Sequence, residues 1–429
     1  MKVLVVGSGG REHALGWALA RSPSVSQLES APGNPGLARL GRIRPVAAED
    51  LDGQVRLFRE ERYHLVVVGP EQPLALGLAD RLRAEGAAVF GPGAGGARLE
   101  SSKAFAKGFM ARHGIPTAAF RVVESLAEAR ALLAEWGPPI VVKASGLAGG
   151  KGVVVAETAA EALEACVGCL ESRAFGAAGS TVILEKKLEG EEISLFTVTD
   201  GRSYHVLPGS QDHKRAFDGD RGPNTGGMGA YSPAPILDEA LLVRVKREIV
   251  EPTLSGLVAE GVDYRGLLYL GLMVTARGPE LLEYNVRFGD PETQAVLPRL
   301  GLDLGELLLG AATATLRAEG LEPPAIPASA CVVAVAGEYP RSGSRGAVIR
   351  GVEEAEARGA LVFHAGTAEQ DGALVTAGGR VLNVVGTGDT LALAVERAYA
   401  SLEAIGFEGM RFRRDIGRRA LTRGAHSAH

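Results

Sequence analysis

The chain reads as a multidomain protein of α/β and α+β class, with a parallel-sheet domain first, an α+β core next and a small domain last. Three observations carry this. At about 100 to 200 residues per domain, 429 residues hold two to four domains. The first hundred residues alternate short apolar runs with amphipathic stretches, the βαβ rhythm of a parallel sheet. From about Ile140 the strands follow one another closely, which suits antiparallel pairing.

In chain order, the apolar run at residues 2–6 predicts a buried strand, 11–21 a helix, 65–68 a second strand and 74–85 another helix. The loop Gly91-Pro-Gly-Ala-Gly-Gly96 precedes a helix starting near Ser101. Strands are expected at 140–143, 152–156, 181–185 and 193–199, all in one antiparallel unit. A Gly-rich segment, 211–235, has few apolar anchors, and a stretch this long with little regular structure is either functional or disordered. A helix near 239–260 and strands at 267–275 and 280–288 follow, and the Pro-rich 322–327 opens the last domain.

Composition narrows the function. The 58 glycines are nearly twice the average usage of about 7%, so backbone-shaped loops make up much of the surface. The net charge of −5, without a basic stripe, argues against nucleic-acid binding. No apolar run approaches the 18 or more residues of a membrane span, and the first apolar run is too brief for a signal peptide, so a cytoplasmic protein is expected. Three cysteines suit a reducing compartment. Cys166 and Cys169 spell C-x-x-C, but within a helical stretch that lacks further ligands they read as packing.

Gly7-Ser-Gly-Gly-Arg-Glu12 follows a strand and opens a helix, yet Glu12 replaces the third glycine of the dinucleotide fingerprint. What survives is a set of N–H groups suited to an anion, or simply a tight turn. Lys143-Ala-Ser-Gly-Leu-Ala-Gly-Gly-Lys-Gly152 joins two strands and is not a Walker loop. A glycine flap of this kind can offer N–H groups to nucleotide phosphates while Lys143 and Lys151 neutralise their charge; the alternative is a flexible hairpin tip. Glu283, Asn285 and Arg287 alternate along one strand face. Two oxygen ligands beside a guanidinium suit a magnesium ion bridging nucleotide phosphates, and the alternative is a surface ion pair.

Taken together, these motifs resemble the phosphoribosylamine–glycine ligase family of the ATP-grasp superfamily. The signature R-F-G-D-P-E stands as Arg287-Phe-Gly-Asp-Pro-Glu292. Further family-like stretches are Val6-Gly-Ser-Gly-Gly-Arg-Glu-His-Ala-Leu15, Gly69-Pro-Glu-Gln-Pro-Leu74, Ser102-Lys-Ala-Phe-Ala-Lys107, Gly222-Pro-Asn-Thr-Gly-Gly-Met-Gly-Ala-Tyr231, Phe363-His-Ala-Gly-Thr367 and Gly378-Gly-Arg-Val-Leu382. The resemblance implies a Rossmann-like pre-ATP-grasp domain for substrate binding at 1–103, and an ATP-grasp domain at 104–326 with its nucleotide flap at about 118–190. It also implies a C-terminal domain at 327–420; the tail at 421–429 resembles nothing in the family and is expected to fray. The implied reaction joins glycine to 5-phosphoribosylamine through glycyl phosphate, consuming ATP with Mg2+ or Mn2+, in a monomer that binds neither nucleic acid nor membrane.

By the same resemblance, ATP is held by Lys107, Lys143, Gly146, Gly149, Gly150, Lys151 and Gly152, its adenine by the hinge Glu185, Lys186, Lys187 and Leu188, and its ribose by Glu192. Glu283 and Asn285 are the implied metal ligands and Arg287 the arginine at the phosphoryl group. With Arg287 and Lys143, the implied catalytic set includes Asp212 and Lys214. Gly9, Gly10, Arg11, Glu71, Asn224, Thr225, Gly226, Gly227, Met228 and Asp290 are the implied substrate-binding residues. Two departures stand out: the strand at 267–275 offers no carboxylate to the metal, and Glu338 stands where a glycine is expected before Tyr339-Pro340. The readings set against this one are another ATP-grasp carboxylate–amine ligase with a different acid, an NAD-dependent oxidoreductase and a noncatalytic nucleotide-binding regulator.

Overall fold

The computed structural model describes residues 1–147, 152–172, 179–317 and 324–426. Its first sheet holds five parallel strands in the order Arg42–Ile43, Gln27–Pro32, Lys2–Gly7, Leu65–Val68 and Val89–Phe90. Val3, Leu4, Val5 and Val6 are wholly buried, as a strand covered on both faces requires. The helix Gly10–Ala20 leaves this sheet where the first expected helix lies. The helix expected over 74–85 is instead two, Glu71–Ala75 and Leu78–Ala84. Gly77 between them adopts φ +86°, which breaks the helical path that the apolar period had suggested.

Two antiparallel sheets build the middle of the chain. Phe120–Val123, Val182–Lys186, Ile140–Ala144 and Val153–Ala156 form one, in that order. The other runs Tyr204–Val206, Glu191–Thr199, Gly266–Thr275 and Gly278–Asn285. The strand near 193–199 therefore belongs to the second sheet, not to the unit of 140–185 as expected. Alternating apolar residues mark a strand without naming its partner. The glycine-rich 211–235 contains four short strands. Two of them, Gln211–Asp212 and Gly229–Ser232, join Ala328–Val335, Arg380–Gly388 and Leu361–His364 in a fourth large sheet. Segments on both sides of residue 327 thus share one sheet. The helix Arg418–His426 runs into the tail expected to fray, and Arg419 Nη2 donates to the Asp212 carbonyl at 2.9 Å.

Cys166 and Cys169 are buried in the helix Ala159–Leu170 against the 120–186 sheet. Among the described residues no helix is long and apolar enough to cross a membrane.

Candidate active site

The two central sheets face each other across a cleft of about 300 Å³ that the N-terminal segment and one C-terminal side chain also line. One wall is the helix Lys103–Arg112, whose Ser102 cap accepts the Phe105 N–H at 3.2 Å. Lys103, Ala106, Lys107 and Met110 recur at helical spacing, and all four line the cleft. Lys107 Nζ lies 3.1 Å from Glu185 Oε2, and Lys143 Nζ reaches the same oxygen at 2.9 Å. Burial and the Lys143 charge bring Lys107 down to about 8. Burial alone would raise Glu185, but the two ammonium groups hold it below the usual carboxylate range. Lys143 Nζ also donates to the Leu282 carbonyl at 3.3 Å. That carbonyl belongs to a bulge: Gly271 pairs with Glu283 and Leu272 with Leu281, leaving Leu282 unopposed.

Glu283, Asn285 and Arg287 line the cleft together, although the strand ends at Asn285. Glu283's carboxylate accepts no hydrogen bond among the described residues, and Asn285 Oδ1 takes only a long 3.5 Å contact from Arg287 Nη2. Arg287 sits between two carboxylates, with Nε 3.1 Å from Glu71 Oε2 and Nη2 2.8 Å from Glu100 Oε1. Its charge is reinforced by both. Burial would raise Glu71, yet Arg287 and Arg11 bring it down to about 2. Burial instead carries Glu100 up to about 7, only partly opposed by Arg287.

At the other end, Lys214 Nζ lies 2.9 Å from both Asp212 Oδ1 and Glu192 Oε2. These carboxylates overcome burial and raise Lys214 well above its ordinary value. Tyr269 donates its hydroxyl to Glu292 Oε1 at 2.9 Å, and burial with the nearby Asp212 charge pushes Glu292 up. Asp290 joins three segments. Its Oδ2 accepts the Arg11 backbone N–H at 3.2 Å, its Oδ1 accepts from Gln294 at 2.8 Å, and its carbonyl accepts from Arg380 Nη1 at 2.8 Å. Arg380 also donates to the Gly226 carbonyl at 2.6 Å, fixing the 224–228 loop.

The cleft gathers Arg11, Glu71, Lys107, Lys143, Gly152, Glu185, Asp212, Lys214, Thr225, Gly226, Glu283, Asn285, Arg287 and Asp290 of the residues singled out from the sequence. Others face elsewhere. Lys186 Nζ donates to the Trp136 carbonyl, Lys187 Nζ pairs with Glu157, and Met228 is buried in a hydrophobic core. Gly146, Leu188, Asn224 and Gly227 do not line the cleft, and Glu192 reaches it through Lys214. Gly149, Gly150 and Lys151 lie outside the described residues.

Two N–H groups of the loop Gly9-Gly10-Arg11 are used internally: Gly9 N–H donates to Glu12 Oε2 at 2.6 Å and Arg11 N–H to Asp290. The chain's own carboxylates thus take two of the N–H groups that the sequence offered to a ligand anion. Residue 10 is glycine for a packing reason, since a Cβ there would lie 2.2 Å from Asn383 Nδ2. Glu100, Lys103, Tyr269, Glu292 and Arg380 line the cleft without having been singled out. Lys103, Glu292 and Arg380 stand inside stretches that carried the resemblance, whereas Glu100 left no local signal.

Models of the phosphoribosylglycinamide synthetase N domain, ATP-grasp (A) domain and C domain match residues 1–100, 101–293 and 329–419. The phosphoribosylamine–glycine ligase of Xanthomonas campestris pv. campestris is 51% identical over 428 residues, 99% of each chain. That of Caulobacter vibrioides is 50% identical over 98% of this chain and 99% of its own. A crystal structure of phosphoribosylamine–glycine ligase from Thermotoga maritima covers 97% of this chain and 100% of its own, at 37% identity and a TM-score of 0.85. A biotin carboxylase complex with β,γ-ATP from Campylobacter jejuni, 16% identical with a TM-score of 0.71 over 96% of this chain and 92% of its own, shares the fold. With three family domains in order and half the residues identical along the whole length, the chain belongs to the phosphoribosylamine–glycine ligase (phosphoribosylglycinamide synthetase) family.

Proposed function

We infer that this chain ligates glycine to 5-phosphoribosylamine, using ATP and giving glycinamide ribonucleotide, ADP and phosphate, a step of purine biosynthesis. The carrying observation is the end-to-end identity of about half to relatives named for that ligation. The cleft supports it, because it sets Lys107, Lys143, Arg287 and the side-chain oxygens of Glu283 and Asn285 in one space.

A carboxylate is a poor acyl donor at neutral pH. The glycine carboxylate oxygen attacks the terminal phosphorus of ATP, and ADP leaves. The amine nitrogen of phosphoribosylamine then attacks the acyl carbon, phosphate leaves with the C–O electrons, and the amine gives up a proton. Such chemistry needs positioning and charge neutralisation more than a strong nucleophile on the protein. Lys107, Lys143 and the flap 146–152 take the ATP phosphates, the segment 185–188 borders the adenine, and Glu192 takes the ribose. Arg287 holds the transferred phosphoryl group. Arg11, Glu71, Asp212, Lys214, Asp290 and the 224–228 loop, with Gly9 and Gly10, surround glycine and the sugar phosphate.

Glu283 and Asn285 fit a divalent cation, Mg2+ or Mn2+, because among the described residues Glu283's carboxylate accepts no hydrogen bond and Asn285 Oδ1 takes only the long 3.5 Å contact from Arg287. Among the described residues no cluster of three or more acidic, His or Cys side chains forms a metal cage, which suits an ion arriving with its nucleotide. Bound there, the ion would neutralise phosphate charge.

The test is phosphate release from Mg-ATP with glycine and freshly generated phosphoribosylamine, omitting each component in turn. Release that requires all of them and yields glycinamide ribonucleotide establishes the ligase. Equal release with another amino acid in place of glycine would overturn the substrate assignment.

A further inference from the structure

Glu100 is the penultimate residue of the helix Ala94–Ser101, and its side chain is 7% exposed. A carboxylate buried to this degree is costly unless it is paired and hydrogen-bonded. Both its oxygens are used. Oε1 lies 2.8 Å from Arg287 Nη2, and Oε2 accepts the Val286 backbone N–H at 2.8 Å. One carboxylate thus holds both the guanidinium of Arg287 and the backbone immediately before it, just beyond the strand end that carries Glu283 and Asn285.

The second partner of Arg287 differs. Glu71 is 30% exposed, contacts Nε alone from this arginine, and lies 3.9 Å from Arg11 Nη1. Of the two, Glu100 is the fixed support, and Glu71 is the counter-ion at the open side of the cleft. We infer that Glu100 is the positioning residue of the active-site arginine: it aims the Arg287 guanidinium into the cleft by gripping side chain and main chain together. Without Glu100, Arg287 would keep Glu71 at Nε, the carbonyl of its own neighbour Phe288 at Nη1 (3.2 Å) and only the long 3.5 Å contact to Asn285 at Nη2. This looser set lets the guanidinium shift, and a small misplacement of a group that must meet a transferring phosphoryl lowers turnover while leaving nucleotide binding in place. This rests on the reading of Arg287 as the arginine at the phosphoryl group.

The experiment compares Glu100→Gln, Glu100→Asp, Arg287→Ala and the double variant Glu100→Gln/Arg287→Ala in steady-state phosphate release, with ADP affinity and thermal unfolding measured beside it. Glu100→Gln keeps an acceptor for Val286 but loses the charge. Its kcat is expected to fall tenfold or more, while the KM for ATP and the ADP affinity stay within about threefold of the parent. The double variant is expected to be no slower than Arg287→Ala, because Glu100 acts through that arginine. Should Glu100→Gln fail to fold, Glu100→Asp decides, since it keeps the charge but cannot span both partners; a kcat loss with unchanged ADP affinity is again expected. Independent, multiplying losses in the double variant, or parental kcat in a folded Glu100 variant, would overturn the proposal. Parental kcat in Arg287→Ala would overturn the reading of Arg287 itself, and this proposal with it, while glycine-dependent turnover would leave the ligase assignment standing.

Discussion

Glu283 is the sharpest single-residue test of the cleft, because no described side chain or backbone group hydrogen-bonds to its carboxylate, whose charge favours the ammonium groups of Lys103 and Lys107 without a hydrogen bond. Glu283→Ala is therefore expected to unfold at the parental temperature while losing roughly a hundredfold or more of its metal-dependent turnover. A magnesium titration of phosphate release beside a thermal melt checks both halves. Lys107 makes a pH argument of the same size. Its ammonium loses its proton near pH 8, well below an ordinary lysine, because burial and Lys143 disfavour the charge. Phosphate binding favours the protonated form, so affinity for ADP should weaken as pH rises past about 8, approaching tenfold per unit. Calorimetric titration at pH 7, 8 and 9 reads this slope. Lys107→Arg stays charged throughout and should flatten it.

The helix Lys103–Arg112 delivers two lysines to the cleft, and its start depends on one hydroxyl. Replacing the Ser102 cap by alanine removes the acceptor for the Phe105 N–H and should cost about 1 kcal/mol of stability. Urea unfolding measures the loss, and Ser102→Asp should recover most of it. The start of this helix, expected near Ser101, was readable from the sequence because it lies just past a Gly-rich boundary, which is a local signal. The same holds for the opening strand and helix, for the two-strand frame of the flap and for the Glu283, Asn285, Arg287 alternation. Partnership was not readable. Nothing within 193–199 says that it pairs with 266–275, and nothing within 229–232 says that it pairs with Ala328–Val335 a hundred residues on. Glu100 escaped for the same reason, since its meaning lies in Arg287, far along the chain. Lys186 and Lys187 were assigned by resemblance, yet their ammonium groups turn to Trp136 and Glu157. Lys186 follows the cleft-lining Glu185 on the strand Val182–Lys186, so its side chain takes the opposite face, and Lys187 lies past the strand's end.

A seam joins the first and last segments of the molecule. His13 Nδ1 accepts the His364 N–H at 2.8 Å, and Asn34 Nδ2 donates to the His364 carbonyl at 2.9 Å. Both backbone groups of His364 are thus held by N-terminal side chains, and Arg39 adds a bidentate pair with Glu356 at 2.8 Å for each bond. Burial drives both rings to stay neutral, lowering His13 well below its ordinary value and His364 to about 4. In the unfolded chain each ring takes its proton near pH 6.5, so the folded state loses stability as pH falls from about 6.5 toward 4. For His364 the slope approaches roughly 1.4 kcal/mol per pH unit within that window, and His13, also lowered by burial, adds a loss of the same sign. Other groups titrate there too, so the difference between variants is what isolates the seam. His13→Asn offers an acceptor in place of Nδ1 but cannot be protonated. Urea unfolding at pH 6.5, 5.5 and 4.5 should show it losing less stability than the parent, by about one proton's worth of slope. Parallel curves for the two proteins would mean that His13 already carries its proton in the folded state, and that the seam closes through charge instead of a neutral hydrogen bond.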